Sequence, residues 1–180
     1  MRNKILFIIL ILLLIFTILP GLSQAKENVG IQHELKITIY PENHHLDVQD
    51  TITINKRCYE ELGFFLHRGF NPSSPTTGVQ IVREKEETLG VPVEFFKIKL
   101  NSYLKTFAIK YSGSIYYPLE TFDKDQARSF RTTSGIISNE GVYLSGSSFW
   151  YPVFEGTMVS FNLDVELPPG WDAISQGERS

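Results

Sequence analysis

The side chains most able to do chemistry are four histidines, His33, His44, His45 and His67, one cysteine, Cys58, and several paired carboxylates. A helical zinc site needs histidines four residues apart on one face, with a glutamate between them to take a proton from bound water. "HELKI" begins with His33-Glu34 but offers Ile37 where the second ligand should be, and it lies on a segment of period two. His44 and His45 are adjacent in a turn, so in extended chain they point to opposite faces. Both read as surface turn residues rather than ligands.

Nucleophilic chemistry has no better footing. No G-x-S-x-G elbow is present, and "SGSS" at 145–148 lacks the strand-to-helix setting that exposes a serine. Cys58, in "NKRCYEE", has none of the surroundings of a catalytic thiol and reads as a small buried apolar residue. Glu60 with Glu61, and Asp123 with Asp125, read as solvated charges, and "DKD" lacks the glycine and further acids of a calcium loop. The residues therefore supply no metal, cofactor or hydrolytic constellation of their own.

The elements that would position any site are strands. Period-two alternation dominates from Leu35 onward: "ELKITIY", "FKIKL", "TFAIKY" and, most cleanly, "MVSFNLDVEL", where Val159, Phe161, Leu163, Val165 and Leu167 share one face. The last is expected to be a half-buried antiparallel strand. Turn signals separate these runs: "PENHH", "NPSSPTTG", Ser112-Gly113 and Pro168-Pro169-Gly170. "REKEETLG" at 83–90 is the one stretch that could form a helical turn, and 121–135 reads as a long loop or exposed hairpin. The expected fold is all-β, an antiparallel β-sandwich.

At the N-terminus, Arg2 and Lys4 precede an apolar run from Ile5 to Leu19, Pro20-Gly21 break it, and Ser23-Gln24-Ala25 offers small residues to a signal peptidase. Residues 1–25 are thus expected to be a signal peptide, or a membrane anchor if uncleaved. About 15 apolar residues is short against the roughly 20 that span a bilayer. Residues 26–180 form the domain, and export places it in the cell envelope or outside the cell. A single cysteine excludes an internal disulfide, and a net charge of −3 without a basic, aromatic-interleaved run excludes a nucleic-acid partner.

"SSFWYPVFEG", from Ser147 to Gly156, sets the large rings of Trp150 and Tyr151 beside Pro152. They could grip a ligand or partner domain, or plug one end of the sandwich.

The order of these segments resembles the N-terminal β-domain of the aminopeptidase N-type zinc metallopeptidases. "LKITIYPENHHLDVQDTITI" looks like its opening hairpin, "FAIKYSGSIYY" like its strand ending in Tyr-x-Gly, and "FWYPVFEGTMVSFNLDVELPPGWDAISQGE" like the aromatic-Pro-x-Phe-acidic turn and closing strand. Together they cover most of residues 31–178. Val153 and Gly156 stand where typical members carry cysteine and proline, and "SGSSF" replaces the Ala-Arg that precedes the turn.

The resemblance implies a saddle-like, non-catalytic domain that packs on a downstream catalytic domain and limits access to peptide N-termini. Zinc would belong to that downstream domain, held by H-E-x-x-H and a further glutamate, and this chain would stop short of the last hairpin. The same resemblance makes Glu140 the nearest candidate for contacting a peptide's amino group. Trp150, Tyr151 and Glu155 would lie at the substrate rim or the interdomain contact. The alternative is a free-standing secreted sandwich that binds protein or carbohydrate through the aromatics from Phe149 to Phe154.

Overall fold

The computed structural model describes residues 30–55, 61–101, 104–121 and 131–179. The expectations for residues 1–25, Cys58, Glu60, Asp123 and Asp125 lie outside them.

The described chain is all-β. Its strands are β1 (Ile31–Tyr40), β2 (His45–Ile54), β3 (Glu61–His67), β4 (Val79–Leu89), β5 (Val91–Leu100), β6 (Thr106–Ser114), β7 (Glu120–Thr121), β8 (Arg131–Thr132), β9 (Ile136–Ser138), β10 (Gly141–Tyr143), β11 (Val153–Phe154) and β12 (Val159–Glu166). Two four-stranded sheets, β12-β1-β2-β6 and β11-β3-β5-β4, form the sandwich, with small ribbons β9-β10 and β7-β8 beside them.

Alternation in β1 and β2 builds the first sheet's inner face. Pro41–Asn43 form one turn of 3-10 helix, and His44, at φ 54°, reverses the chain into β2. The hairpin pairs Ile37 with Val48 and Ile39 with Leu46, so apolar side chains from both strands point inward together. Opposite them, Leu62, Phe64, Leu66, Phe96 and Ile98 line the second sheet, and the two rows merge in one buried core. A smaller cluster of Phe65, Val91 and Val93 forms elsewhere, partly covered by Tyr117 and Phe149.

Three sequence expectations are corrected. β12 runs parallel to β1, not antiparallel to a neighbour, with Leu35 beside Leu163 and Ile37 beside Val165. Alternation fixes which face is apolar but carries no information about the partner's direction. The stretch at 83–90 is no helical turn: it falls largely in β4, which pairs with β5 and bulges between Arg83 and Lys85. β4 is an edge strand with most side chains wet on both faces, so its charges hide the alternation and also discourage pairing with another chain. Ser112-Gly113 lies inside β6 rather than in a turn. The glycine is there because the Phe70 ring lies against it: a Cβ at position 113 would sit 2.1 Å from Phe70 Cδ1.

The remaining edges differ in how they are finished. β11 is two residues long. The edge of β6 is clamped by the loop at 71–78: Ser73 and Lys110 exchange backbone hydrogen bonds at 2.9 and 2.8 Å. There, too, the Ser74 hydroxyl donates to the Ala108 carbonyl and the Ala108 N–H donates to Thr76 Oγ1. Among the described residues, no strand pairs with the outer edge of β12.

Candidate functional site

The segment from Leu144 to Phe154 places the aromatic residues singled out by sequence. Gly146–Ser148 form a 3-10 turn, closed by the buried Ser148 hydroxyl donating to the Ser145 carbonyl at 2.6 Å. Phe149 then adopts φ 51°, a left-handed conformation uncommon for a bulky residue. Its carbonyl accepts the His67 N–H at 2.8 Å, which anchors the reversal. Successive side chains consequently go to different places: Phe149 packs on Phe65, whereas Trp150 enters the main core.

Trp150 is 8% exposed and its ring meets Tyr151 edge-on at 5.1 Å. The plug role suits Trp150, but Tyr151 is only half-buried and forms part of a wall. Between that wall and β12 lies a cleft of about 550 Å³. Trp150, Tyr151, Tyr143 and Leu144 line it from one segment and Phe161 and Leu163 from β12, and Ile174, Ser175 and Gln176 of the segment after β12 border it too. Tyr143 and Phe161 stay 54% and 39% exposed, beside Ser145, Ser175 and Gln176, which also line the cleft. Of the residues marked out by sequence, the fold brings Trp150 and Tyr151 together in this cleft. Glu140, in the turn between β9 and β10, and Glu155, after β11, are exposed and do not line it.

Behind Tyr151 the core holds a polar pair that sequence reasoning missed. His33 and Asp50 occupy inward positions on β1 and β2, diagonal across the hairpin, since His33 pairs with Ile52 and Leu35 with Asp50. His33 Nδ1 and Asp50 Oδ2 are 2.6 Å apart and neither side chain reaches solvent. The His33 ring packs at 5.8 Å from both Tyr151 and Phe154. Burial pushes the Asp50 carboxyl above the ordinary aspartate range, and the hydrogen bond to His33 pulls it part of the way back. Burial also raises the Tyr111 hydroxyl well above its usual value, reinforced by the nearby Asp50 and Tyr151. His33 Nε2, Asp50 Oδ1 and the Tyr111 hydroxyl have no protein hydrogen-bond partner.

A His-Asp pair suggests general-base chemistry, but that requires access for a substrate and a proton to move. A pair with no exposed surface offers no such access; it links β1 to β2 inside the core. Its signal was present in the sequence, because His33 is in phase with Leu35, Ile37 and Ile39, and Asp50 with Leu46, Val48 and Ile52.

The other histidines are tied up separately. His44 Nδ1 lies 2.6 Å from the Ile137 carbonyl and the ring stacks on Tyr116 at 4.1 Å. His45 bonds Asp47 at 3.2 Å. His67 Nδ1–H donates to the Arg68 carbonyl at 2.9 Å, which leaves Nε2 to accept the Tyr117 hydroxyl at 2.8 Å. Among the described residues, no three His, Cys, Asp or Glu side chains converge as a metal site requires, and no helix is long and apolar enough to cross a membrane. A second groove, about 860 Å³, is bordered by Lys36, Lys110, Asp47, Asp164 and Glu166, charges of both signs.

No protein-family description matches the chain, and no curated protein does. Among solved structures it is similar to a mutant two-domain M1 zinc metallopeptidase bound to the amino acid L-tryptophan, at 15% identity and a TM-score of 0.36. That match covers 84% of this chain, which spans 35% of the metallopeptidase's length.

Proposed function

We propose that this chain is a non-catalytic β-sandwich domain that docks a partner in the cleft between β12 and the segment around Trp150 and Tyr151. The observation that carries the reading is the cleft itself: rigid aromatic walls, held by a buried Trp150 and opened by a half-exposed Phe161 and Tyr143. Apolar area of this kind at a surface is used in recognition. The sequence resemblance supplies the partner: the catalytic domain of an aminopeptidase-like zinc metallopeptidase, with the sandwich shaping access to peptide N-termini. Zinc, and the water it activates, would belong to that domain.

Translating the DNA that follows the Ser180 codon tests the partner. An H-E-x-x-H segment with a downstream glutamate supports the metallopeptidase reading. Its absence favours the second reading, a free-standing module that binds protein or carbohydrate through the aromatics from Phe149 to Phe154. Docking itself is tested by Phe161→Ser, which should abolish association with the catalytic domain while the domain stays folded, at a modest loss of thermal stability from the partly covered ring. Unchanged association would remove the cleft from the interface.

A further inference from the structure

The cleft does not end at its aromatic walls. Leu35 of β1 also lines it, and that residue pairs directly with Asp50 and shares the inward face of β1 with His33. From the β12 side, Phe161, another lining residue, pairs with His33 itself. The buried His33–Asp50 pair therefore lies under the floor of the cleft, with a layer of side chains between them. Tyr151 belongs to that layer: its half-buried ring lines the cleft and meets the His33 ring edge-on at 5.8 Å.

Beneath this layer is an unpartnered polar atom. His33 Nδ1 is engaged by Asp50 Oδ2 at 2.6 Å, whereas Nε2, on the edge of the imidazole turned away from Asp50, is buried with no hydrogen-bond partner among the described residues. A ring nitrogen in that condition is unfavourable, and any group that reaches it with a matching donor or acceptor relieves the cost. Two rings pack on His33 at the same distance. Phe154 is buried in the core, but Tyr151 already has part of its surface in the cleft, so its rotation uncovers His33 at the smaller loss of packing.

We infer that the cleft contains a covered binding site for an aromatic ring bearing a hydroxyl: the ligand's ring takes the place of Tyr151 against Leu35, Trp150 and Phe161, and its hydroxyl bonds His33 Nε2. A hydroxyl suits this atom in either state of the imidazole, since it donates to a bare nitrogen and accepts from a protonated one. The apolar walls favour a flat, rigid body around that single polar group. Asp50 is a positioning residue, holding the imidazole through Nδ1 so that Nε2 keeps its direction. Such a site depends on the cleft alone and on no partner domain.

The test has two arms, both on the full chain. In the first, diethyl pyrocarbonate is added near neutral pH and acylation of each histidine is followed by peptide mass mapping. His33 is expected to resist in the parent chain while the partly exposed His45 reacts. Tyr151→Ala should speed acylation of His33 about tenfold. Ile39→Ala, which loosens the core further along β1, controls for general unfolding. A rise in Tyr151→Ala no larger than in Ile39→Ala overturns the inference. In the second arm, para-cresol and toluene are titrated into isotope-labelled chain and binding is read from the ring resonances of His33. Para-cresol is expected to bind about fivefold tighter than toluene and to shift Nε2. Equal affinity, or binding that leaves Nε2 unmoved, also overturns the site. Neither failure touches docking of a catalytic domain, which Phe161→Ser reads separately.

Discussion

His33 Nδ1 lies 2.6 Å from Asp50 Oδ2, with both side chains at zero exposure between rows of isoleucine, leucine and valine. Two ionisable groups in such a place cost desolvation that their mutual attraction offsets only while both are present. Asp50→Leu alone should therefore destabilise the domain by about 3–5 kcal/mol, since it strands the imidazole. The double change His33→Leu with Asp50→Leu should cost markedly less than the sum of the singles. Urea unfolding of the four proteins reads the non-additivity directly; strict additivity would show that the pair does not act as a unit.

The His67 imidazole gives a pH dependence of known sign. Burial lowers its proton affinity, against the opposing pull of the Arg68 carbonyl, so the folded state prefers the neutral ring that accepts the Tyr117 hydroxyl. The unfolded chain takes up a proton near the ordinary value of about 6.5, before the folded one does. Stability contributed by His67 is full above that pH and is lost as pH falls through the folded value. Melting temperature should decline on acidification from pH 7, and His67→Gln should flatten that part of the profile. An unchanged slope in the variant would place the titration elsewhere.

Asp50 works in the opposite sense. Its raised carboxyl makes the protonated form favourable in the folded state, so that contribution is full below the usual aspartate value and lost as pH rises through the folded one. In Asp50→Asn, the stability profile in the acid range should fall less with rising pH than in the parent chain. Parallel profiles would show that Asp50 does not titrate differently on folding.

Gly113 is required by packing rather than by backbone freedom. A methyl there would meet Phe70 Cδ1 at 2.1 Å and Cε1 at 2.3 Å, and Phe70 is completely buried. Gly113→Ala should cost about 1–3 kcal/mol by overpacking, and adding Phe70→Leu should recover part of the loss. Thermal unfolding of the single and double variants checks this; a single variant as stable as the parent would mean that the ring moves aside freely.

Trp150 and Tyr143 should separate stability from recognition. Trp150→Ala opens a cavity in the core and should cost about 3–5 kcal/mol. Tyr143→Ser, on an exposed ring, should shift stability by no more than about 0.5 kcal/mol while weakening docking. Calorimetry paired with binding measurements distinguishes them; equal effects of both substitutions on stability would refute the division.

The inner rows of β1 and β2 were legible because both strands bury one face and wet the other. "ELKITIY" shows this pattern without help from its neighbours. β4 was not, because an edge strand with two wet faces has no phase to read, and glutamate and lysine there mimic a helical turn. The parallel pairing of β12 was invisible for a different reason: strand direction is set by the path of the chain through residues far away, not by the strand's own side chains. In the cleft, the importance of Trp150 and Tyr151 could be seen from their bulk and rigidity. Their division of labour could not, since it depends on the left-handed turn at Phe149. His33 and Asp50 were in phase with the core all along, but a polar residue in an apolar row is conspicuous only once the row's partner strand is known.

The hydrogen bonds that tie Ser73, Ser74 and Thr76 to Lys110 and Ala108 have a consequence for how copies of the molecule could meet. Growth of a sheet from molecule to molecule needs a donor edge and an acceptor edge on every unit. With β6 already engaged at Ala108 and Lys110 by its own loop, that edge offers a second copy no open ladder there. A sheet passed from molecule to molecule would be stopped on the β6 side by hydrogen bonds the chain makes to itself.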